Sequence, residues 1–381
     1  MTISSGQGWI GWPGVPMALL SATLFGASTP LAKLLLGEGI TPWTLAGLLY
    51  LGSGIGLSAI HLYRRFLPSK SKEAPLRRGD LPWLMLVALF GGMLGPFLLM
   101  LGLASTAGST AALLLNLEGL ATMAIAWLAF KENVDRRLLL GAATILAGAI
   151  VLSWTSGPGG FSLGALAIAA ACLCWGIDNN LTRKLSSADP VQITAIKGIV
   201  AGSVNLLLAI FAGAHVPTVP TMLIASLLGF FGYGVSLVLF VLALRHLGTA
   251  RTGAYFSVAP FMGATLATAL LHEPITLQLM AAAGLMGLGV WLHLTERHDH
   301  VHSHEAIEHE HSHIHDAHHQ HAHEPECPVG EPHSHRHRHE PLIHGHPHYP
   351  DLHHRHAHAR ASDPEDKLNE HITHLPHRHQ A

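Results

Sequence analysis

The chain has 381 residues and a formal net charge of −2, but that figure averages two unlike segments. Residues 1–297 carry 16 Lys and Arg against 10 Asp and Glu, whereas residues 298–381 carry 6 against 14, together with 27 of the 32 histidines. The long apolar runs of the first segment exclude a water-soluble globule, and the polar composition of the second excludes a buried core.

In chain order, spans are expected at roughly 13–35, 43–63, 81–104, 108–130, 137–155, 162–183, 190–213, 220–244, 250–271 and 276–295. Runs such as "LPWLMLVALFGGMLGPFLLMLGLA" (81–104) exceed the roughly 18 apolar residues that indicate a membrane-crossing helix. They do not alternate, so helices rather than barrel strands satisfy the backbone in lipid. The first ten residues contain no Lys or Arg, so the charged start of a cleavable signal is missing and the first span is expected to remain as an anchor. Cys172, Cys174 and Cys327 give no disulfide framework.

Basic residues sort between the spans. Arg64, Arg65, Lys70, Lys72, Arg77 and Arg78 follow the second span, Lys131, Arg136 and Arg137 the fourth, Arg183 and Lys184 the sixth, and Arg245 and Arg251 the eighth. The alternate connections carry none apart from Lys33 near the end of the first span. Positive charge is retained on the cytoplasmic side, which predicts cytoplasmic N- and C-termini in an inner cell membrane.

An internal repeat accompanies this pattern. With residue i laid on residue i+141, Gly91 meets Gly232, Leu98 meets Leu239, Glu132 meets Glu273 and Gly148 meets Gly289. Matching connections differ in charge: "KENVDRR" is basic and its partner "HEPITLQ" has no Lys or Arg. Five spans per half would invert the second half, as in transporters built on inverted repeats. The expected architecture is all-α and polytopic, with ten transmembrane helices as two inverted five-helix repeats. A short N-terminal segment (1–12) precedes the repeats (13–155 and 156–296), and a disordered His-rich tail (297–381) follows them.

Four segments carry a resemblance. "LFGASTPLAK" (24–33) and "CWGIDNNLTRK" (174–184) form one pair; "LNLEGLATMAIAWLAFKE" (115–132) and "FSVAPFMGATLATALLHEP" (256–274) form the other. In this order the chain resembles the EamA type of the drug/metabolite transporter superfamily over about residues 13–295. Phe25 stands at a Trp position of that pattern, Arg183 at a Lys position and Gly119 at a Pro position. The resemblance implies a central cavity between the halves and gradient-driven transport, often export, of small organic solutes such as amino acids.

Ionisable and amide groups inside spans each need a reason, because lipid offers them no solvation. Glu118 lies near the middle of the fourth span and could load and unload a proton. Asp178, Asn179 and Asn180 are consecutive on the sixth span; at about 100° each they cover most of a helix circumference, so at least one faces the interior. Lys197, in the seventh span, could bind a substrate carboxylate or pair with Asp178. Tyr255 is a candidate cavity-lining residue. Helix packing and interhelical hydrogen bonding are the competing readings for each of these. No catalytic Ser, zinc-protease or Walker motif stands out, so the expectation is a transporter rather than an enzyme, with no required cofactor and no nucleic-acid partner.

In the tail, His302, His304, His309, His311, His313, His315, His333, His335, His337, His339, His353, His354, His356 and His358 recur largely as H-x-H. Imidazole suits Zn, Ni, Co and Cu, and most of these rings are neutral and free to bind at pH 7. The spans themselves hold only the scattered His61, His215, His246, His272 and His293. The expected function is therefore a metabolite transporter, an exporter by family resemblance, with a metal-binding cytoplasmic tail. Its partners are the lipid bilayer and a small-molecule substrate, with a divalent metal and a homodimer left open. A divalent-metal transporter and a membrane-anchored metal store or sensor are the alternatives.

Overall fold

In the computed structural model, the described residues are 14–66, 76, 78–130, 136–154, 162–182, 185, 189–247, 249–295, 298–304, 308–313, 333–338 and 342–348. The first repeat comprises α1 (Gly14–Gly37), α2 (Pro42–Phe66), α3 (Leu81–Val87), α4 (Gly95–Ser105), α5 (Gly108–Leu114), α6 (Asn116–Phe130) and α7 (Arg136–Ser153). The second comprises α8 (Leu163–Thr182), α9 (Pro190–Phe211), α10 (Val219–Gly229), α11 (Ser236–Leu247), α12 (Thr249–Phe256), α13 (Ala259–Leu270) and α14 (Leu277–Leu294).

Among the described residues, nine helical stretches are long and apolar enough to cross a membrane. The expected ninth span is instead two pieces, α12 and α13, separated at Ser257 and Val258. Pro260 stands in the first turn of α13, where its missing N–H leaves no donor for the preceding helix to continue on. The fourth span breaks at the matching place, between α5 and α6 at Leu115. There Asn116 Nδ2 donates to Leu113 O at 2.9 Å, taking up a carbonyl released by the interruption.

The third and eighth spans also deviate together. Ala88–Leu94 and Phe230–Val235 are π-helical. Gly95 N donates to Phe90 O and Ser236 N to Phe231 O, so the widened turns recur at the repeat offset. The wider turn costs hydrogen-bond geometry and is used sparingly; here it is used twice, at equivalent positions.

The halves interlock. Helix α1 packs on α11 and α13 of the second repeat, and α8 packs on α4 and α6 of the first. Helix α2 packs on its counterpart α9, and α7 on its counterpart α14. Small residues set these approaches: a Cβ added at Gly198 would lie 2.7 Å from Gly54 Cα and 2.8 Å from Tyr50 O, both backbone atoms. Such contact, rather than a hydrophobic drive between helices, holds membrane bundles together. The outer surface keeps large apolar side chains uncovered, among them Leu128, Phe211 and Leu277, as hydrocarbon solvent permits.

In the tail, four short strands are described. Strand β1 (His298–His304) pairs antiparallel with β4 (Leu342–His348), and β2 (Glu308–His313) with β3 (His333–Arg338). His315, His339, His353, His354, His356 and His358 lie outside the described residues, as do Lys131, Glu132, Arg183 and Lys184.

Gly198→Ala is expected to lower the melting temperature of the detergent-solubilised protein by several degrees, equivalent to about 1–3 kcal/mol of overpacking. Gly284→Ala, where a Cβ meets nothing within 4 Å, is expected to leave it unchanged or raise it slightly. Equal effects at both positions would contradict the close α2–α9 contact.

Candidate functional site

The site is assembled from α2, the π-helical turn Ala88–Leu94, α6, α8 and α9. Its centre is a main-chain irregularity. Because Gly95 N bonds to Phe90 O, Gly91 O loses its ordinary helical donor. Because Pro96 has no N–H, Gly92 O loses its own. Both carbonyls are in a region where an unpaired acceptor is costly, and both are taken up by side chains. Tyr50 Oη donates to Gly91 O at 2.7 Å and Trp175 Nε1 donates to the same oxygen at 3.1 Å. Asn205 Nδ2 donates to Gly92 O at 3.2 Å.

An ion pair lies against this turn. Lys197 Nζ donates to Asp178 Oδ2 at 2.5 Å, with both side chains largely buried. Thr182 Oγ1 donates to the other carboxylate oxygen at 3.3 Å. The pair occupies the space beside Gly91: an added Cβ there would overlap the Asp178 carboxylate and come within 2.5 Å of Lys197 Nζ. Glycine at this position is what lets the charged pair reach the main chain. Asp178 comes from α8 and Lys197 from α9, so the pair itself is internal to the second repeat, while the wall it rests on belongs to the first.

Asn179 turns to another partner. Its Nδ2 donates to Glu118 Oε1 at 3.0 Å and to Thr122 Oγ1 at 3.2 Å, both on α6. Glu118 interacts electrostatically with Asp178 and Lys197. Asn180 is buried and bonds through Nδ2 to Thr122 O at 3.1 Å and Gly176 O at 2.8 Å. The three consecutive polar residues thus divide by helix angle: one carries the ion pair, one the carboxyl of α6, and one joins α8 to the α6 backbone.

Glu118, Asp178, Asn179 and Lys197 are therefore brought together, with Asn180 at their margin. Tyr255 is elsewhere, packed against the small cluster around Ala18 and Ala243. Sequence reasoning missed Tyr50, Asn205 and Tyr233. Tyr233 stands in the second π-helical turn and meets Tyr50 and Phe25, with ring centroids 5.6 and 5.9 Å apart. No local motif marks these residues; "GGMLG" and "GFFGYG" were the available signals, and they read equally well as close-packing glycines. A separate groove of about 370 Å³ between α2 and α9, lined by Ser58, His61, Gln192 and Ala195, includes none of the site residues.

One end of the bundle is fastened by two charges. Lys33 Nζ donates to Leu103 O at 2.6 Å and Ala104 O at 3.2 Å, at the C-terminal end of α4. Glu273 accepts from Gly108 N at 2.6 Å and Ser109 N at 2.8 Å, at the start of α5. A cation on the last carbonyls of one helix and an anion on the first amides of the next both match the helix dipoles.

The EamA-like transporter family matches residues 12–154 and 162–295, one match to each repeat. The chain belongs to this family. An "Uncharacterized transporter" from Methanothermobacter thermautotrophicus is 29% identical over 294 residues, covering 72% of this chain and 84% of its own length. A solved crystal structure at 21% identity covers 73% of this chain and 95% of its own, with a TM-score of 0.55, and shares the fold. For this EamA-like chain, then, membrane transport is the general activity, and the polar cluster is a candidate for where a solute or coupling ion engages.

Breaking the ion pair from one side leaves a buried charge without its partner, at a cost of roughly 3–5 kcal/mol. Asp178→Asn and Lys197→Gln are each expected to lower the melting temperature in detergent markedly, and the double variant to recover much of the loss. Additive losses in this cycle would show that the two side chains are not coupled.

Proposed function

We propose that this EamA-like chain is a secondary transporter that exports small zwitterionic metabolites of the amino-acid type by alternating access, with proton exchange at Glu118. The observation that carries this reading is the Asp178–Lys197 pair, held beside Gly91 and adjacent to the Glu118–Asn179 contact. A buried ion pair adds little net stability over apolar packing, so its presence calls for another use. An ammonium and a carboxylate on one small solute complement Asp178 and Lys197, and a solute carrying both exchanges one internal pair for two intermolecular ones. Glu118, tied to Asn179 on the same α8 turn, couples its protonation to the position of that helix.

The repeats 13–155 and 156–296 would rock about the α2–α9 and α7–α14 contacts. The positive-inside distribution supports cytosolic termini in a cell inner membrane, which puts the His-rich tail in the cytosol as a metal-binding segment for Zn, Ni, Co or Cu. Cysteines introduced for Lys72 and Val216 are expected to label from opposite sides of the membrane; labelling from one side would remove the inverted repeat from this reading.

Reconstitution tests the function. Proteoliposomes with an imposed proton gradient are expected to accumulate one or more amino acids from a panel that also includes polyamines and divalent metals. Glu118→Gln is expected to reduce gradient-driven accumulation to the level of empty vesicles while preserving solute-dependent thermal stabilisation. Divalent-ion flux without amino-acid flux would favour a metal transporter instead.

A further inference from the structure

The broken spans of the two repeats are not placed alike. At the repeat offset, α5 corresponds to α12 and α6 to α13. Helix α13 packs closely on α5 of the other repeat, whereas α6 packs on α8, and α12 on α1 and α11. Among the described residues, α6 and α12 share no contact of the extent that joins α5 to α13. The broken spans therefore meet at the end of the bundle that lacks basic connections. Glu118 lies ten residues beyond Gly108 in the same span, about 15 Å along it, so the α5–α13 contact stands between the polar cluster and that end.

Gly108, the first residue of α5, is where this contact is tightest. A Cβ added there would lie 2.9 Å from Leu271 Cδ1, 3.3 Å from Ala267 Cβ and 3.3 Å from Glu273 Oε1, all on the second repeat. Glu273 then spends one carboxylate oxygen on each of the first two amides of α5: Gly108 N donates to Oε1 at 2.6 Å and Ser109 N to Oε2 at 2.8 Å. These are amides that the helix itself leaves without a partner. Lys33, seated on the last carbonyls of α4, also interacts electrostatically with Glu273. His272, just before Glu273, has φ 51°. That left-handed conformation is one that glycine usually supplies after a helix and that costs other residues strain. The chain beyond α13 is turned through a strained residue to deliver the carboxylate, and the two amide bonds hold the turn.

An inverted-repeat transporter has to open its site to each side in turn, so a contact that ties the halves at one end has to be broken once per cycle. We propose that Glu273 is the latch of the gate that closes the site at the end opposite the basic connections, and that its release from the α5 amides opens the site to that side. The inference rests on the alternating-access reading and identifies the residue that holds one of its two closures.

The test is the reactivity of introduced cysteines in the full-length protein in detergent, using a charged maleimide and scoring modification at each position by peptide mass spectrometry. Ala267 and Ala112 are buried on the two sides of the α5–α13 contact. Ala267→Cys and Ala112→Cys are each expected to react slowly, and at least tenfold faster once Glu273→Ala is added, because labelling follows the population of the open state. Glu273→Gln, which leaves one acceptor oxygen for two amides, is expected to fall between. Ala282→Cys, buried on α14 where α7 packs, is expected to stay protected throughout, and Val216→Cys, exposed beyond α9, to react fast throughout. Equal protection of both reporters with and without the Glu273 carboxylate would overturn the latch. A rise shared by Ala282→Cys would overturn it too, since it would mark a loosened fold rather than a gate. The measurement uses no solute, so it stands or falls apart from the amino-acid reading.

Discussion

A bilayer interior leaves a polar group no water to fall back on, and most of the unusual features of this chain are answers to that constraint. The third span gives up two ordinary backbone bonds at the π-helical turn, and the released Gly91 and Gly92 carbonyls are each met by a side chain from another helix. The broken fourth span frees Leu113 O, and Asn116 takes it. Asp178 and Lys197 neutralise each other beside that same turn. Irregular backbone and charge occur together because one set of neighbours serves both.

This coupling gives the π-helical turn a structural consequence. A regular helix would satisfy its own carbonyls and present a Cβ-lined surface to α8 and α9. Here Gly91 presents bare main chain, and its oxygen anchors Tyr50 of α2 and Trp175 of α8 at once. Three helices are thereby tied to a single atom. Any movement of α8 relative to the third span must lengthen the Trp175 bond or carry Gly91 along. The second repeat keeps an equivalent turn at Phe230–Val235, but there Tyr233 and Phe25 make an aromatic contact in place of a charged one. The two halves share a backbone plan and differ in chemistry.

Spans, repeat and family were legible in the sequence because each rests on many residues: long apolar runs, periodic Lys and Arg, and glutamates that recur at one offset. The cluster was partly legible. Asp178, Asn179 and Lys197 announce themselves by being polar where lipid is expected, and a span-to-span pairing of Asp178 with Lys197 follows from their signs. Their angular division, with Asn180 used for helix joining, was not legible, since three adjacent polar residues look alike before a neighbour is known. Tyr50 and Asn205 were hidden for the opposite reason. Each is ordinary in a membrane helix until a carbonyl elsewhere loses its donor. Interruption of the ninth span could have been suspected from Pro260, whereas the matching break in the fourth has no proline and depends on Asn116.

The fastening at Lys33 and Glu273 extends the same logic to the end of the bundle. The connection between α4 and α5 is short, and both helix ends it joins would expose unpaired groups near lipid. Lys33 from α1 meets the carbonyls and Glu273, just beyond α13, meets the amides. The Lys33 contact lies within the first repeat, whereas Glu273 reaches from the second repeat to the first, so the anion is the one that ties the halves together here. Separating the halves at this end requires breaking the two Glu273 bonds to the α5 amides. The Asp178–Lys197 pair differs from this fastening in joining two side chains, both largely buried, where Lys33 and Glu273 each meet main-chain groups.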